Sequence, residues 1–232
     1  MQINSATIIG AGGTGQQLIP SLMRMLQYHP HGTTDIAVFD GDQFEDHNVA
    51  RQINNTGSKA DSMNVLLKEQ LLAPVCVDQY MSRPRLKRLC ESDCENLRLV
   101  IAAVDNDATR KMCLDVLLES GGNFLFITPG NSDASDEEKD IRGNVLWFGC
   151  INGTEIGINP ALLFPNIERP SDGIPRKGSC TEDAPSTPQL IAANALAAAY
   201  TLTVVQNFLD DRMPYEASHL FFNGRTLSLT AN

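Results

Sequence analysis

Short apolar runs alternate with amphipathic stretches through the first 130 residues of the chain. The apolar runs lack polar alternation, which predicts strands buried on both faces of a sheet. Apolar residues spaced three or four positions apart predict helices, and alternating strands and helices imply a mostly parallel sheet. The predicted strands span residues 6–9, 35–40, 75–80, 98–105 and 123–128, and the predicted helices span residues 14–28, 58–72, 84–91 and 107–119.

The pattern changes in the second half of the chain. The polar and acidic residues 131–144 predict a solvated loop, after which residues 145–151 return to strand character. Residues 166–187 form a Pro-, Gly- and Ser-rich segment that contains Cys180. Connections of that length inside a domain are often functional.

An Ala-rich helix is predicted to begin at Thr187–Pro188, and a hairpin over residues 219–230 is predicted to turn at Asn223–Gly224. The elements predict an α/β fold: a Rossmann-like, mostly parallel sheet with helices on both faces and a mixed or antiparallel C-terminal extension. Because no domain linker is visible, we expect one domain over residues 1–232.

Composition and charge exclude several function classes. The chain is 42% hydrophobic and 20% charged, which excludes a disordered, collagen-like or coiled-coil protein. Its net charge of −10 makes nucleic acid an unexpected partner, because phosphate backbones repel an anionic protein. No apolar run approaches the roughly 18 residues of a membrane helix, and no signal peptide is visible. We therefore expect no membrane association and a cytoplasmic protein with reduced thiols.

A glycine-rich motif, Gly10–Gly15, lies between the first predicted strand and the first predicted helix. Glycines there let a phosphate approach backbone N–H groups, and the helix N-terminus adds partial positive charge. The motif predicts nucleotide binding and fits NAD, FAD or ATP equally well; the alternative is a glycine-rich turn without a ligand. The predicted binding glycines are Gly10, Gly12, Gly13 and Gly15.

Asp40 ends the second predicted strand, 25 residues after Gly15. That is close to the roughly 20 residues expected for an acid that binds ribose hydroxyls, although an ordinary strand-end aspartate is the alternative. Arg51 and Lys59 follow as candidate phosphate ligands, one bidentate and one a point charge. A triphosphate needs such cations and hydride transfer does not; the alternative is two solvated surface cations.

Asp105 ends the fourth predicted strand and so shares the carboxyl edge of the sheet with Gly10 and Asp40. A carboxylate facing a triphosphate is repulsive unless a cation lies between them. Mg²⁺ prefers one or two carboxylates together with phosphate oxygens, so Asp105 is predicted to be the magnesium ligand. Asp107 is interpreted as a helix-start residue.

These motifs, in this order, resemble the adenylation domain of the ubiquitin-activating superfamily, the ThiF/MoeB/HesA-like proteins. The resemblance covers roughly residues 6–130. The residues that carry it are Gly10-x-Gly12-Gly13-x-Gly15, Asp40-x-Asp42, Asn48-x-x-Arg51-Gln52, Gly57-x-Lys59 and Asp105-Asn106-x-x-x-Arg110.

The resemblance implies ATP-dependent adenylation of the C-terminal glycine carboxylate of a ubiquitin-fold or sulfur-carrier protein, with ATP and Mg²⁺ as cofactors. It also implies a dimer, expected here as a homodimer. Residues 1–130 would form the nucleotide-binding half, and residues 131–232 a partner-binding and dimerisation half with a cysteine-bearing crossover loop. By the same resemblance Asp40 holds ribose, Asn48, Arg51 and Lys59 contact phosphates, Gln52 positions them, Asp105 binds magnesium, and Asp42 and Asn106 complete the binding set.

The sequence around Cys180 is similar to the catalytic-cysteine region of some family members. Those proteins use the cysteine to accept the activated acyl group as a thioester or to form an acyl persulfide. Cys180 precedes a predicted helix N-terminus, where a thiolate is favoured, although an incidental loop cysteine is the alternative. The predicted catalytic residues are Arg51, Lys59, Asp105 and Cys180.

The chain departs from the family in two respects. The Cys-x-x-Cys zinc pairs of many relatives are absent, so no structural zinc is expected. A preceding helical segment, whose arginine reaches the partner's ATP in relatives, is also missing, so another arginine must serve or catalysis is weak. Compact ThiF-like proteins of bacterial mobile elements, such as those of the plasmid PRTRC system, are similar in plan.

Two other functions stay open at this point. An NAD- or FAD-dependent oxidoreductase on the same fold explains the glycines and Asp40, but it gives Arg51, Lys59 and Asp105 no role. A non-catalytic nucleotide-binding scaffold, or the inactive subunit of a heterodimer, is compatible with the missing arginine segment. The sequence does not distinguish an adenylate, thioester, amide or thiocarboxylate product.

Overall fold

The computed structural model describes residues 2–45, 52, 57–70, 72–91, 96–131, 141–175, 190–213 and 217–231. The described strands are β1 (Ile3–Ile9), β2 (Ile36–Phe39), β3 (Val75–Val77), β4 (Leu97–Ala102), β5 (Phe124–Asn131), β6 (Arg142–Ile151), β7 (Thr154–Gly157), β8 (His219–Asn223) and β9 (Ser228–Ala231). The described helices are α1 (Gly13–Tyr28), α2 (Lys59–Glu69), α3 (Arg83–Glu91), α4 (Asp107–Ser120), α5 (Pro160–Leu163), α6 (Pro165–Glu168) and α7 (Ile191–Leu209).

The described strands form one mixed sheet in the order β3-β2-β1-β4-β5-β6-β8-β9, with β7 paired to β6. Strands β1 to β5 are parallel to their neighbours. Strands β6 to β9 pair antiparallel and extend the sheet beyond β5. The predicted α/β class, with a parallel Rossmann-like part and an antiparallel C-terminal extension, is confirmed.

Helices cover both faces of the sheet, and each face has its own apolar cluster. Side chains of α1, α2 and α7 pack on one face, and side chains of α3, α4 and α6 pack on the other. In β4, Leu99 and Ile101 belong to the first cluster, whereas Val100 and Ala102 belong to the second. Burial on both faces is the reason why β4 is apolar without alternation.

The predicted loop over residues 131–144 is too long at both ends. Strand β5 continues to Asn131 and β6 begins at Arg142, because the two strands pair antiparallel as far as Asn131 and Gly143. These residues are polar because they lie at the ends of the two strands, near solvent, and their polarity does not prevent the strands from pairing. The remaining part of the predicted loop, residues 132–140, lies outside the described residues.

The C-terminal hairpin is present, but the predicted two-residue turn is wrong. Strands β8 and β9 are joined by residues 224–227, and Asn223 is the last residue of β8. The side-chain oxygen of Asn223 accepts hydrogen bonds from the N–H groups of Arg225 and Thr226, at 3.0 and 3.3 Å. The N–H of Gly224 donates to the carbonyl of Ile141 at 2.7 Å. The hydrogen bond to Ile141, which is distant in sequence, therefore favours the four-residue loop over the predicted two-residue turn.

Part of the Pro-, Gly- and Ser-rich segment is described. It contains α6, and residues 176–189 lie outside the described residues. Helix α7 begins at Ile191, after the extended residue Leu190, which is later than the predicted start at Thr187–Pro188. Among the described helices, none combines the length and the hydrophobicity that crossing a bilayer requires.

Candidate functional site

An open pocket of about 850 Å³ lies at the carboxyl ends of β1, β2 and β4. The order of the parallel strands reverses between β1 and β4, and open α/β sheets bind ligands at such a point. Gly15 lies in the first turn of α1, and Asn48, Arg51 and Cys180 lie outside the described residues. The other predicted site residues all line the pocket: Gly10, Gly12, Gly13, Asp40, Asp42, Gln52, Lys59, Asp105 and Asn106.

The glycine turn joins β1 to α1 at the floor of the pocket. Gly10 has a φ of +98°, and a Cβ atom there would collide with the backbone of Ala103 at the end of β4. Gly12 precedes the first helical residue, Gly13, and no side chain caps the helix there. The first-turn N–H groups of α1, which have no partners within the helix, are therefore available to an anion.

Asp40 is 7% exposed at the end of β2 and connects that strand to the glycine turn. Its Oδ2 accepts a hydrogen bond from the N–H of Ala11 at 2.6 Å, and its Oδ1 accepts one from the N–H of Asp42 at 2.8 Å. Burial raises the pKa of Asp40 to about 6, while Lys59 and the two N–H groups oppose that rise. The carboxylate is an acceptor held rigidly beside the turn, which suits a ribose hydroxyl.

The pH dependence of stability should reveal the buried Asp40 carboxyl. Its pKa of about 6 lies above the ordinary value of 3.8, so the folded state prefers the protonated form. Below pH 3.8 the carboxyl is protonated in both the folded and the unfolded state, so it has no effect on stability; between pH 3.8 and about 6 only the unfolded state ionises, and the unfolding free energy falls by roughly 3 kcal/mol. We expect the unfolding free energy of the protein, minus that of Asp40→Asn, to fall by about that amount between pH 4 and pH 8.

The measurement is denaturant unfolding of both proteins at each pH. If the difference in unfolding free energy between the two proteins stays constant across this pH range, the raised pKa of Asp40 is wrong. The same two proteins can also be titrated with adenosine to measure its affinity. The ionised Asp40 carboxylate accepts stronger hydrogen bonds from ribose hydroxyls than the protonated form does. The unsubstituted protein should therefore bind adenosine more tightly at pH 8 than at pH 5, and Asp40→Asn should not.

Lys59 is the first residue of α2 and points into the pocket. The side chain of Ser58 caps this helix by accepting a hydrogen bond from the N–H of Asp61 at 3.3 Å. The Lys59 ammonium lies 2.7 Å from Oδ2 of Asp42, and its side chain is 11% exposed. Lys59 is thus a largely buried cation, and its interpretation as a solvated surface residue is wrong.

Tyr80 completes this part of the pocket wall and was not predicted from the sequence. Its hydroxyl donates to Oδ1 of Asp42, and its ring packs so closely over Gly41 that a Cβ there would lie 2.7 Å from the ring atoms Cγ and Cδ2. Burial, and then the bond to Asp42, raise the pKa of Tyr80 well above its usual range. Tyr80 therefore remains a neutral donor that fixes the carboxylate facing Lys59.

The Asp105 carboxylate is exposed at the end of β4 and has no hydrogen-bond or ion-pair partner among the described residues. Asn106 lines the pocket too, but its side chain caps α4 by accepting the N–H of Thr109 at 2.8 Å. Arg110 donates to the Val104 carbonyl at 2.6 Å and pairs with Asp107 at 2.6 Å. The chain on both sides of Asp105 is therefore fixed, whereas its carboxylate is free.

A single carboxylate does not make a complete metal site. In the part of the chain that the structure describes, no group of three or more His, Cys, Asp or Glu side chains is placed to hold a metal ion. A cation at Asp105 would need phosphate oxygens and water as further ligands. That ligand set fits Mg²⁺, which keeps several waters and uses few protein carboxylates.

The segment that leads to Cys180 begins at the pocket. The carboxylate of Asp172 accepts the N–H groups of Asp107 and Ala108 at 2.7 and 2.8 Å, so it caps α4 from a distant part of the chain. Pro175, three residues later, lines the pocket. Neither residue was predicted, because no local spacing connects Asp172 to α4.

A second pocket of about 860 Å³ adjoins the first and shares Asp105 and Asn131 with it. Its wall includes Arg110 from α4, Asn144 from β6 and Phe164 from the α5–α6 connection. This cavity lies on the antiparallel side of the sheet. A second molecule can approach the nucleotide site from that direction, beside Asp105.

No protein-family model and no curated protein sequence matches the chain. Solved structures do match its fold. E. coli MccB with ATP has a TM-score of 0.59 at 15% identity, over 98% of this chain and 62% of MccB. E. coli MccB with AMPCPP and MccA has a TM-score of 0.60 at 15% identity, over 98% and 63% of the two chains. PaaA has a TM-score of 0.56 at 15% identity, over 100% and 64%.

The chain therefore spans less than two thirds of the length of these neighbours. The likeness confirms, for this chain, the Rossmann-like fold that the resemblance of its motifs implies.

Proposed function

We propose that the chain is an ATP-dependent adenylating enzyme that acts on the C-terminal carboxylate of a peptide or protein. One observation carries the proposal: a single pocket at the reversal of strand order contains the glycine turn, the buried Asp40, Lys59 and the free carboxylate of Asp105. An oxidoreductase would need the first two features but would leave Lys59 and Asp105 without a role. The solved structure of MccB with ATP supports the nucleotide assignment by fold.

The pocket fits ATP in each of its parts. Ile9, Phe39, Met81 and Val104 supply an apolar wall for the base, and Asp40 supplies the ribose acceptor. Phosphates would lie over Gly12, where a Cβ would meet nothing closer than 3.9 Å. Lys59, the N-terminus of α1 and, as proposed from the resemblance, Arg51 would balance part of their charge, and Asn48 would contact them as a neutral donor.

Gln52 provides an independent test of that fit. It lines the pocket with 5% of its surface exposed, and no described residue forms a hydrogen bond with its Oε1. Buried acceptors are nearly always satisfied in folded proteins, so an orphaned one in a pocket wall indicates a missing donor. A ribose hydroxyl, or a water held by the phosphates, supplies such a donor.

The reaction follows from the charges in the pocket. The acceptor carboxylate, already anionic, attacks the α-phosphorus of ATP; the bond to the bridging β-oxygen breaks, and pyrophosphate leaves. No side-chain base is required, so Lys59 and the proposed Arg51 act by stabilising charge on the phosphates. Mg²⁺ held by Asp105 would neutralise further phosphate charge. The acceptor tail enters through the adjoining pocket beside Asp105 and Asn131.

The finer assignments rest on the resemblance. We propose a ubiquitin-fold protein with a C-terminal glycine as the acceptor and a homodimer as the assembly. Residues 1–130 would then bind the nucleotide and residues 131–232 the partner. The structure of MccB with MccA supports a peptide or small protein as the acceptor class.

Cys180 is proposed to accept the activated acyl group in a second step. Its thiolate attacks the acyl carbonyl of the adenylate, a thioester forms, and AMP leaves with the electrons of the broken bond. The five residues from Pro175, which lines the pocket, to Cys180 span at most about 18 Å, so the thiol has the reach to enter the site.

The test is ATP–pyrophosphate exchange with ubiquitin-fold proteins and short peptides as acceptors, followed by detection of a thioester. We expect exchange with at least one acceptor, and Cys180→Ser should keep the exchange and lose the thioester. Cys150→Ser, at the end of β6 and outside the pocket, is the matched control and should retain both. Absence of exchange with either acceptor class, or tighter binding of NAD than of Mg-ATP, would overturn the proposed function.

A further inference from the structure

Asn194 is a buried amide near the start of α7, in an otherwise alanine-rich turn, and it is 0% exposed. Its Oδ1 accepts a hydrogen bond from the hydroxyl of Thr14 at 3.0 Å and another from the side-chain amide of Asn131. Thr14 belongs to the first turn of α1, and Asn131 is the last residue of β5. We call these three residues the Asn194 bridge.

The Asn194 bridge contacts the glycine turn. A Cβ atom added to Gly13 would collide with Nδ2 of Asn194 and lie 3.1 Å from its Cγ, so the Asn194 side chain packs against the Gly13 backbone. Gly13 and both partners of Asn194 line the nucleotide pocket. Asn194 itself lies behind that wall, where it supports the turn without contacting a ligand.

The Asn194 amide is incompletely satisfied. Its Nδ2 is buried and has no hydrogen-bond partner in the part of the chain that the structure describes. An unpaired buried donor lowers stability, so this amide is not explained by a contribution to the core. Its oxygen, by contrast, holds two residues of the pocket wall. This combination favours a role in the geometry of the site.

We propose, building on the proposed function, that Asn194 is a positioning residue for the triphosphate. By holding Thr14 and packing on Gly13, it fixes the direction of the first-turn N–H groups of α1 that would face the phosphates. Asn194 is also close in sequence to the segment that contains Cys180, because α7 begins at Ile191, four positions after that segment ends.

The test compares ATP with adenosine, because only ATP uses the phosphate-facing N–H groups. Calorimetric titration should show that Asn194→Ala weakens ATP binding by about tenfold and adenosine binding by less than about twofold. Asn194→Asp keeps the shape and the Oδ1 acceptor but adds a negative charge behind the turn. It should fold and weaken ATP binding further, again with little effect on adenosine.

Thr201→Val is the matched control. Thr201 lies on the same helix, is fully buried, and its hydroxyl donates to the Ala197 carbonyl at 2.8 Å. This variant should bind both ligands like the unsubstituted protein. Equal losses for ATP and adenosine, or no loss in Asn194→Ala and Asn194→Asp, would overturn the positioning role while leaving the proposed function intact. If the unsubstituted protein binds no ATP, the proposed function and this inference both fail.

Discussion

Asp105→Asn is expected to lower the rate of ATP–pyrophosphate exchange by about 100- to 1000-fold while leaving adenosine binding unchanged. The substitution keeps the shape of the side chain and removes its charge. The Asp105 carboxylate is free and exposed among the described residues, so a neutral amide breaks no internal contact. The amide is, however, a poor substitute for a carboxylate as a magnesium ligand. The loss should therefore appear in the chemical step and should be partly reversed by raising the magnesium concentration.

Asp115→Asn provides the control for this prediction. Asp115 lies within α4, ten positions after Asp105, and pairs with Lys111 at 2.5 Å, away from the pocket. Asp115→Asn also removes one negative charge, and it should leave exchange unchanged. Exchange by Asp105→Asn within a few-fold of the unsubstituted protein would reject the magnesium role, and so would equal effects of the two substitutions.

The charge balance of the pocket supports the proposal of a divalent cation. Asp40, Asp42 and Asp105 line the pocket together with Lys59, and the Lys59 charge is already paired with Asp42. The described part of the pocket is thus acidic, although the proposed ligand is a polyanion. The sequence predicted Lys59 as a phosphate ligand but could not predict its ion pair with Asp42, which Tyr80 also contacts. We therefore expect the binding of ATP to depend on magnesium at Asp105 and on the proposed contribution of Arg51.

The parts of the site that local patterns encode were predictable. Gly10, Asp40 and Asp105 each follow directly after an apolar run, and the carboxyl ends of parallel strands meet at one edge of the sheet. The strand and helix order followed from the same alternation. These inferences needed only the local periodicity and the handedness of the connections.

The residues that sequence reasoning missed reach the site from distant parts of the chain. Thr14 and Asn194 are 180 positions apart, and Asp172 lies 65 positions from Asp107. No spacing rule relates such pairs, because packing of α7 and of the α6 region on the sheet brings them together. Asn194, in the alanine-rich start of α7, was a signal in the sequence, and it indicated only that something polar had to be nearby.

Substitutions in the glycine turn are expected to have the second large effect. Two of them, Gly10→Ala and Gly12→Ala, should separate a loss of protein stability from a loss of ATP binding. Gly10→Ala should lower the unfolding free energy by about 4 kcal/mol, from the strain of a positive φ and from overpacking. Gly10 has a φ of +98°, and its Cβ would lie 2.9 Å from the Ala103 carbonyl carbon. That neighbour is the backbone directly after β4, held by a hydrogen bond from its N–H to the Ile9 carbonyl, and it cannot move aside without breaking that contact. The expected result is a protein that is largely unfolded or strongly destabilised in denaturant titrations.

Gly12→Ala is the matched substitution within the same turn. Gly12 has a φ of −74°, and a Cβ there would have only Nε2 of Gln52 within 4 Å, at 3.9 Å. We expect stability to change by less than about 1 kcal/mol. The added methyl group occupies the space over which the phosphates would lie, so ATP affinity should fall by about 10- to 100-fold, as a lost set of phosphate contacts would cause. Adenosine binding should be unchanged. Equal stability of the two variants would contradict the geometry of the turn, and unchanged ATP affinity in Gly12→Ala would place the phosphates elsewhere.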